Sequence, residues 1–305
     1  MQNYLSNPYL WAWGNFDGEH YLAIAQFGYQ PLTHFFFPLY PLLIRFLDGS
    51  QFSALLISHM SFVISLIGLY KLIRLDCSTK VARLAIILLL AFPTSFFFGS
   101  VYTESLFLAL VTWFFYVLRK KKWIGAFVLG SLASAARLVG AVLLGPFGLF
   151  GYMYYLLRET GDPLAFFHNI TLFGGQRSEG LVLLPQVFYR YFFKVLPNLN
   201  YFYFPAVFTT FLELSVALLF LILIAFSFKK LKPVYTYFLT TGYLVSTFSG
   251  SFSSLPRYVL VLFPAFILIA MFLQNKPIIR AVWLILSVIL LAISVMLFTR
   301  GYFVA

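Results

Sequence analysis

The densest gathering of proton-carrying side chains lies near the N-terminus, in Asn15-Phe16-Asp17-Gly18-Glu19-His20-Tyr21. Trp11 and Trp13 precede it, and the apolar run Leu22-Ala23-Ile24-Ala25 follows. Two carboxylates and a histidine within four residues, pressed between apolar segments, suit proton transfer. A carboxylate held near an apolar interface has its charged form disfavoured, which raises its basicity and fits it to take a proton from a hydroxyl. Asp17 is the candidate base, with Glu19 and His20 as candidate substrate-binding neighbours; a structural histidine accounts equally well for His20. The competing reading is a solvated loop in which Asp17 caps a helix starting near Gly18. Asp17, Glu19 and His20 lack a recognisable metal-ligand spacing, so no metal is expected.

Other charged residues stand where charge is expensive. Arg137 lies inside an apolar stretch and calls for an anionic partner, a role open to Glu104 or Glu213. Glu213 is alone in 206–227, where a near-interface position would also explain it. Glu104 heads an apolar run, and a favourable place at a helix N-terminus is the plainer account of it. Arg257, followed by Tyr258, also heads an apolar run. Its guanidinium matches phosphate bidentately, and an anchor reaching for headgroups is the alternative. Arg177, in Gly174-Gly175-Gln176-Arg177-Ser178, reads as a sugar or phosphate contact or as a solvated loop. Asn169-Ile170-Thr171 has the N-glycosylation pattern, which is weak by itself.

The elements that must position these residues are set by composition. Of 305 residues 62% are hydrophobic and 10% charged, against roughly 45–50% apolar and 25% charged in soluble domains. Apolar runs long enough for a ~30 Å hydrocarbon layer recur along the chain, which predicts an all-α polytopic membrane protein. The net charge of +12 does not imply nucleic acid, because the basic residues fall in short clusters between apolar runs. These are Lys71, Arg74, Lys80 and Arg83; Arg119 to Lys122; Lys229, Lys230 and Lys232; and Lys276 with Arg280. The positive-inside rule places all four on the cytoplasmic side. The single cysteine, Cys77, falls in the first cluster and permits no disulfide within the chain.

Expected spans are 52–70, 84–99, 104–118, one or two segments within 123–157, then 206–227, 234–249, 258–273 and 281–298. With every basic cluster inside, 123–157 must cross an odd number of times, so one crossing plus a re-entrant or surface helix is expected there. Segments 1–51, 100–104, 158–205 and 250–257 then share the outer side, and every candidate residue except Arg137, Glu213 and Tyr258 falls in one of them. Within 158–205, the stretch 181–196 mixes aromatics with Arg190 and Lys194, as a helix lying in the interface would.

The series NFDGEHYLAIAQFGY followed by FFPLYPLLIRFL resembles the N-terminal signature of the PIG-V-type mannosyltransferases and their bacterial relatives. The resemblance continues through Phe92-Pro93-Thr94-Ser95, Tyr102-Thr103-Glu104-Ser105, Ala135-Ala136-Arg137-Leu138-Val139-Gly140, Gly161-Asp162-Pro163 and Pro256-Arg257-Tyr258, covering nearly the whole chain. It implies a single GT-C-like transmembrane domain over 1–305, with about eight to nine transmembrane helices and outer-face juxtamembrane helices. Residues 1–51 would supply the catalytic loop and 158–205 a second outer loop. Relatives carry a complete span before the acidic loop, and residues 1–14 are too few for one, so the family's first transmembrane helix is expected to be missing; 141–160 is also shorter than in relatives.

The implied activity is transfer of a hexose, mannose above all, from a polyprenyl-phosphate sugar to a lipid or glycan acceptor, with inversion and with Asp17 as general base. A polyprenyl phosphate is a good leaving group, so one base plus cations suffices. No cofactor is expected; the partners are the lipid-linked sugar, the acceptor and membrane lipids, not nucleic acid. The implied location is a bacterial cell membrane with the site on the extracytoplasmic face. Two rivals come from other classes: a secondary transporter or lipid flippase, with Arg137 and Glu213 as midplane binding elements, and a non-catalytic remnant of the enzyme.

Overall fold

The computed structural model describes residues 7–169, 182–248 and 250–304, and every regular element among them is a helix. Helices close their backbone hydrogen bonds within the segment, which so apolar a sequence needs wherever water is absent. Two units emerge, Met1–Ile86 with Phe96–Asn169, and Ile87–Ser95 with Ile170–Ala305.

The first unit contains α1 (Pro8–Trp11), α2 (Asp17–Phe27), α3 (Leu39–Leu47), α4 (Gln51–Ile73), the start of α5 (Thr79–Leu90), α6 (Glu104–Arg119), α7 (Trp123–Ala136), α8 (Phe147–Thr160) and α9 (Ala165–His168). The Ser50 side chain caps α4 by accepting from the Ser53 amide at 3.1 Å. Along α4, Ser58, Ser61, Ser65 and Gly68 recur at three- and four-residue spacing and all are buried. Small residues at that spacing let two backbones approach closely. Here α4 meets α6: a Cβ on Gly68 would lie 2.8 Å from the Thr112 hydroxyl and 2.9 Å from the Trp113 ring, and the Trp113 indole donates to the Ile64 carbonyl at 3.1 Å.

Segment 123–157 forms two fourteen-residue helices joined by a reversal. α7 ends at Arg137, whose extended backbone (φ −157°, ψ 149°) breaks the helix before a 3-10 turn at Leu138–Val142. The chain then runs back along α7: Gly140 lies against Ala133 and Gly130 against the Leu144 carbonyl. It turns again, so that the Phe147 ring lies tilted against Phe127 with centres 5.2 Å apart and the Leu149 amide donates to the Ser134 hydroxyl at 3.2 Å. Any side chain at Gly130 must displace the Leu144 backbone, so Gly130→Ala is expected to cost about 1–3 kcal/mol. Gly151→Ala, with nothing within 4 Å of its added methyl, is expected to be neutral or to gain up to about 1 kcal/mol of helix propensity. Thermal unfolding of the two variants in detergent checks this.

The second unit contains α10 (Leu184–Arg190), which runs into a π-helical turn at Tyr191–Val195, then α11 (Phe204–Lys230), α12 (Pro233–Thr247), α13 (Leu255–Tyr258), α14 (Pro264–Leu273) and α15 (Pro277–Thr299). Its core is aromatic: Phe92 stands 5.4 Å from Phe266 and 6.4 Å from Phe220. The Tyr243 hydroxyl ties α12 to α11 by donating to the Ala217 carbonyl at 3.0 Å.

α4, α11 and α15 are long and apolar enough to cross a membrane, and the pair Leu255–Val261 and Pro264–Leu273, bent by 82°, makes a fourth if taken as one broken span. These contain the expected spans 52–70, 206–227, 281–298 and 258–273. The expectation of about eight to nine spans exceeds what helix length alone supports. Span 84–99 is interrupted, because Pro93 supplies no amide to the helical ladder; α5 stops at Leu90 and a 3-10 turn follows at Ser95–Gly99. The bend before Pro264 has the same origin. Spans 104–118 and 234–249 are helices of 16 and 15 residues. α15 leaves Ile278, Ile285, Leu286 and Ile289 exposed, a surface that apolar surroundings would cover.

Candidate functional site

Asp17 is the first residue of α2, and the residue before it, Phe16, has φ +60° and ψ −117°. That region is costly for a bulky L-residue and persists only when neighbours enforce it. They do so here from both sides. The Val101 amide donates to the Trp13 carbonyl at 2.9 Å, and the Tyr102 hydroxyl donates to the Asn15 carbonyl at 2.8 Å. Gly18 completes the contact: a Cβ there would sit 3.3 Å from the Val101 carbonyl oxygen. The acidic loop is thus clamped to the turn that leads into α6. The turn itself rests on α4, where Ser58 bridges the Tyr102 carbonyl (3.4 Å) and the Tyr40 hydroxyl (2.8 Å).

This clamp gathers side chains that are far apart in sequence. Tyr21, one helical turn beyond Asp17, is buried and lies within electrostatic reach of Asp17, Glu104 and Arg137, sharing a hydrogen bond with Thr103. Burial, reinforced by the Asp17 and Glu104 carboxylates, pushes its phenol well above the ordinary range, so it stays a neutral hydrogen-bonding group. Arg137, released by the break after α7, donates from Nη1 to Glu104 Oε1 at 2.6 Å, with the side chains 12% and 2% exposed. Its guanidinium also lies 5.9 Å from the Phe107 ring centre. Between the two partners that the sequence left open for Arg137, the structure selects Glu104.

His20 shares the Asp17 side of α2, three residues on, and stacks on Phe36 with ring centres 5.0 Å apart. Glu19 is exposed and lies off that face, two residues from Asp17. The His34–Phe36 segment, against which His20 stacks, is held in turn by α8, where the Tyr152 hydroxyl donates to the carbonyls of His34 (2.7 Å) and Phe36 (3.2 Å).

Arg257 and Tyr258 belong to the second unit, in α13. Arg257 is only 4% exposed, which does not fit an anchor reaching outward to headgroups. Its guanidinium lies over the Tyr258 ring at 5.1 Å, and Nη2 donates to the Tyr258 hydroxyl at 3.4 Å. The Thr94 hydroxyl donates to the Pro256 carbonyl at 2.8 Å, so the Phe92–Ser95 and Pro256–Tyr258 segments meet. Glu213 is held elsewhere in this unit: the Tyr191 hydroxyl donates to Oε2 at 2.7 Å and accepts from the Phe252 amide at 3.2 Å. Tyr191→Phe strips both buried groups of that partner and is expected to cost about 1–3 kcal/mol, measurable as a lower midpoint of thermal unfolding. Arg177 and the core of the Asn169-Ile170-Thr171 pattern lie outside the described residues, as does the start of 181–196; its remainder forms α10 and the π-helical turn.

Tyr21 and Tyr102 are the residues that sequence reasoning passed over. Both stand inside quoted motifs, but their partners lie about 80 residues away, and no local spacing announces that. Among the described residues no group of three or more histidine, cysteine or acidic side chains could hold a metal ion. No protein family model matches the chain, and no curated protein or solved structure is significantly similar to it.

Proposed function

We propose that the protein is a membrane glycosyltransferase that moves a hexose from a polyprenyl phosphate to an acceptor hydroxyl, with Asp17 as general base. The observation that carries this reading is the strained, doubly clamped start of α2, which sets Asp17 near the same neutral phenol, Tyr21, as the Glu104–Arg137 ion pair. Backbone strain of this kind is retained where it places a functional group. In the step, the acceptor oxygen attacks the anomeric carbon while its proton passes to the Asp17 carboxylate. The bond from that carbon to the phosphate oxygen breaks, and the phosphate leaves with the electron pair. A phosphate leaves without prior protonation, so a second carboxylic acid is not required. Arg137 is a cation whose orientation Glu104 fixes. Arg257, buried in the second unit, is proposed independently as a phosphate-binding cation. His20 and Glu19 are proposed as contacts to acceptor or sugar, and Tyr258 as the residue that orients Arg257.

The reading extends to the membrane. The shorter helices, such as α6 at about 24 Å for ~1.5 Å per residue, would complete a GT-C-like domain of about eight to nine crossings. The proposed location is a bacterial cell membrane, with the site on its outer face. Mannose is the proposed sugar, on the strength of the motif resemblance. The 82° break before Pro264 favours the rival reading of a transporter, since discontinuous helices line transport sites. The test is transfer of radiolabelled hexose from polyprenyl-phosphate mannose or glucose to membrane lipids by the purified protein. Labelled product supports the enzyme; a folded protein that gives none with either donor, yet moves the donor between leaflets of a vesicle, supports the transporter.

A further inference from the structure

A second charged region lies at the far end of α4 and α6, away from the residues above. Asp76, in the turn after α4, forms a two-pronged ion pair with Arg119 at the end of α6, with 2.9 Å between Oδ1 and Nη2. That pair staples together two basic segments separated by about 40 residues of sequence. Around it stand seven exposed cations: Lys71, Arg74, Lys80, Arg83, Lys120, Lys121 and Lys122. Asp76 is the sole acidic residue in 71–83 and 119–122, so the two segments together carry a large excess of positive charge.

Two observations set the region apart from a row of solvated lysines. Lys121 has φ +59°, and the amides of Lys121 and Lys122 return to the carbonyls of Leu118 (2.9 Å) and Val117 (2.9 Å). That is the helix ending for which glycine is ordinarily used, yet a lysine occupies it and displays its charge there. The cations also border apolar surface. Trp123 and Ile124 follow at once, 62% and 83% exposed, and the ammonium groups of Lys71 and Lys120 lie over Trp113 (5.3 Å) and Tyr116 (6.0 Å). Cations, aromatic rings under two of them and exposed apolar side chains next in the chain match the chemistry of a lipid: phosphate, interface, acyl chain.

We propose that this region is a binding site for the phosphate headgroup of an anionic bilayer lipid, held between the α4–α5 turn and the α6–α7 turn. The proposal rests on the membrane reading but not on glycosyl transfer. A free phosphate would gain nothing from Trp123 and Ile124, which is why the lipid is the occupant.

The test compares retention of phosphatidylglycerol and phosphatidylcholine by the purified protein in detergent, counted by mass spectrometry of co-purifying lipid. Phosphatidylglycerol is expected to be retained at least about tenfold better. The triple variant Lys120→Gln, Lys121→Gln, Lys122→Gln is expected to lose that preference, at roughly fivefold per cation removed. A second variant, Arg74→Gln with Lys80→Gln, alters the other side of the ion pair and is expected to lose it as well. Neutralising Lys229, Lys230 and Lys232 in the second unit leaves it unchanged. Equal retention of the two lipids by the parent overturns the proposal, as does equal loss in both triple variants, which would mean generic surface charge. Full competition by inorganic phosphate at the lipid's own concentration would reduce the region to an ion site. The readout uses no sugar donor, so its failure and the failure of the transferase reading are separate results.

Discussion

Glu104→Gln is expected to destabilise the protein by about 3–5 kcal/mol, because it leaves the Arg137 guanidinium without its counter-charge in a place closed to water. The side chains are 12% and 2% exposed, so screening by solvent is too weak to soften the loss. The double variant Glu104→Leu with Arg137→Met removes both charges and keeps apolar volume. It is expected to regain much of that stability, since a buried pair and an apolar pair of like size are often close in energy. Unfolding in a detergent series for the parent, Glu104→Leu, Arg137→Met and the double variant gives the coupling directly. If the double variant is as unstable as the singles added together, the pair is not an energetic unit, and the arrangement around Tyr21 needs another account.

Asp17→Asn is expected to lower hexosyl transfer by about 10²–10⁴-fold while leaving the fold intact. Asparagine keeps the shape and hydrogen-bonding reach of the carboxylate and loses its ability to take a proton. Asp17 is half-buried at the first turn of α2, so the change adds no volume and exposes no core. Glu19→Gln provides the internal comparison. It carries the same chemistry two residues away but is exposed and lies off the Asp17 face of the helix, so its effect is expected to stay within about tenfold.

Much of the architecture was legible because it follows from period and composition. The long runs inside α4, α11 and α15 declare themselves by length and hydropathy, and Pro93 and Pro264 mark where two further runs break. For 123–157 the bracketing basic clusters led only to an expected odd number of crossings, not to the path of the chain. What governs it physically is close backbone contact at Gly130, Gly140 and Gly148, which no periodicity encodes. The site divided in the same way. Asp17, His20, Glu104 and Arg137 were singled out as candidates by residue type, because charge in an apolar setting has few explanations. The choice of Glu104 over Glu213 depended on the break after α7, and the role of Tyr21 on a clamp between residues 13–18 and 101–102. Both are tertiary events with no local signature. Glu213 illustrates the limit: nothing in its sequence setting announced that a phenol in a π-helical turn from elsewhere in the chain would hold it inside the protein.

The most direct test of the central claim is a side-by-side transfer assay of the purified parent and Asp17→Asn, with polyprenyl-phosphate mannose as donor and membrane lipids as acceptor, on samples matched for unfolding temperature. The account predicts labelled glycolipid from the parent and at least about a hundredfold less from the variant. Equal product from the two would remove Asp17 from the chemistry and contradict the account.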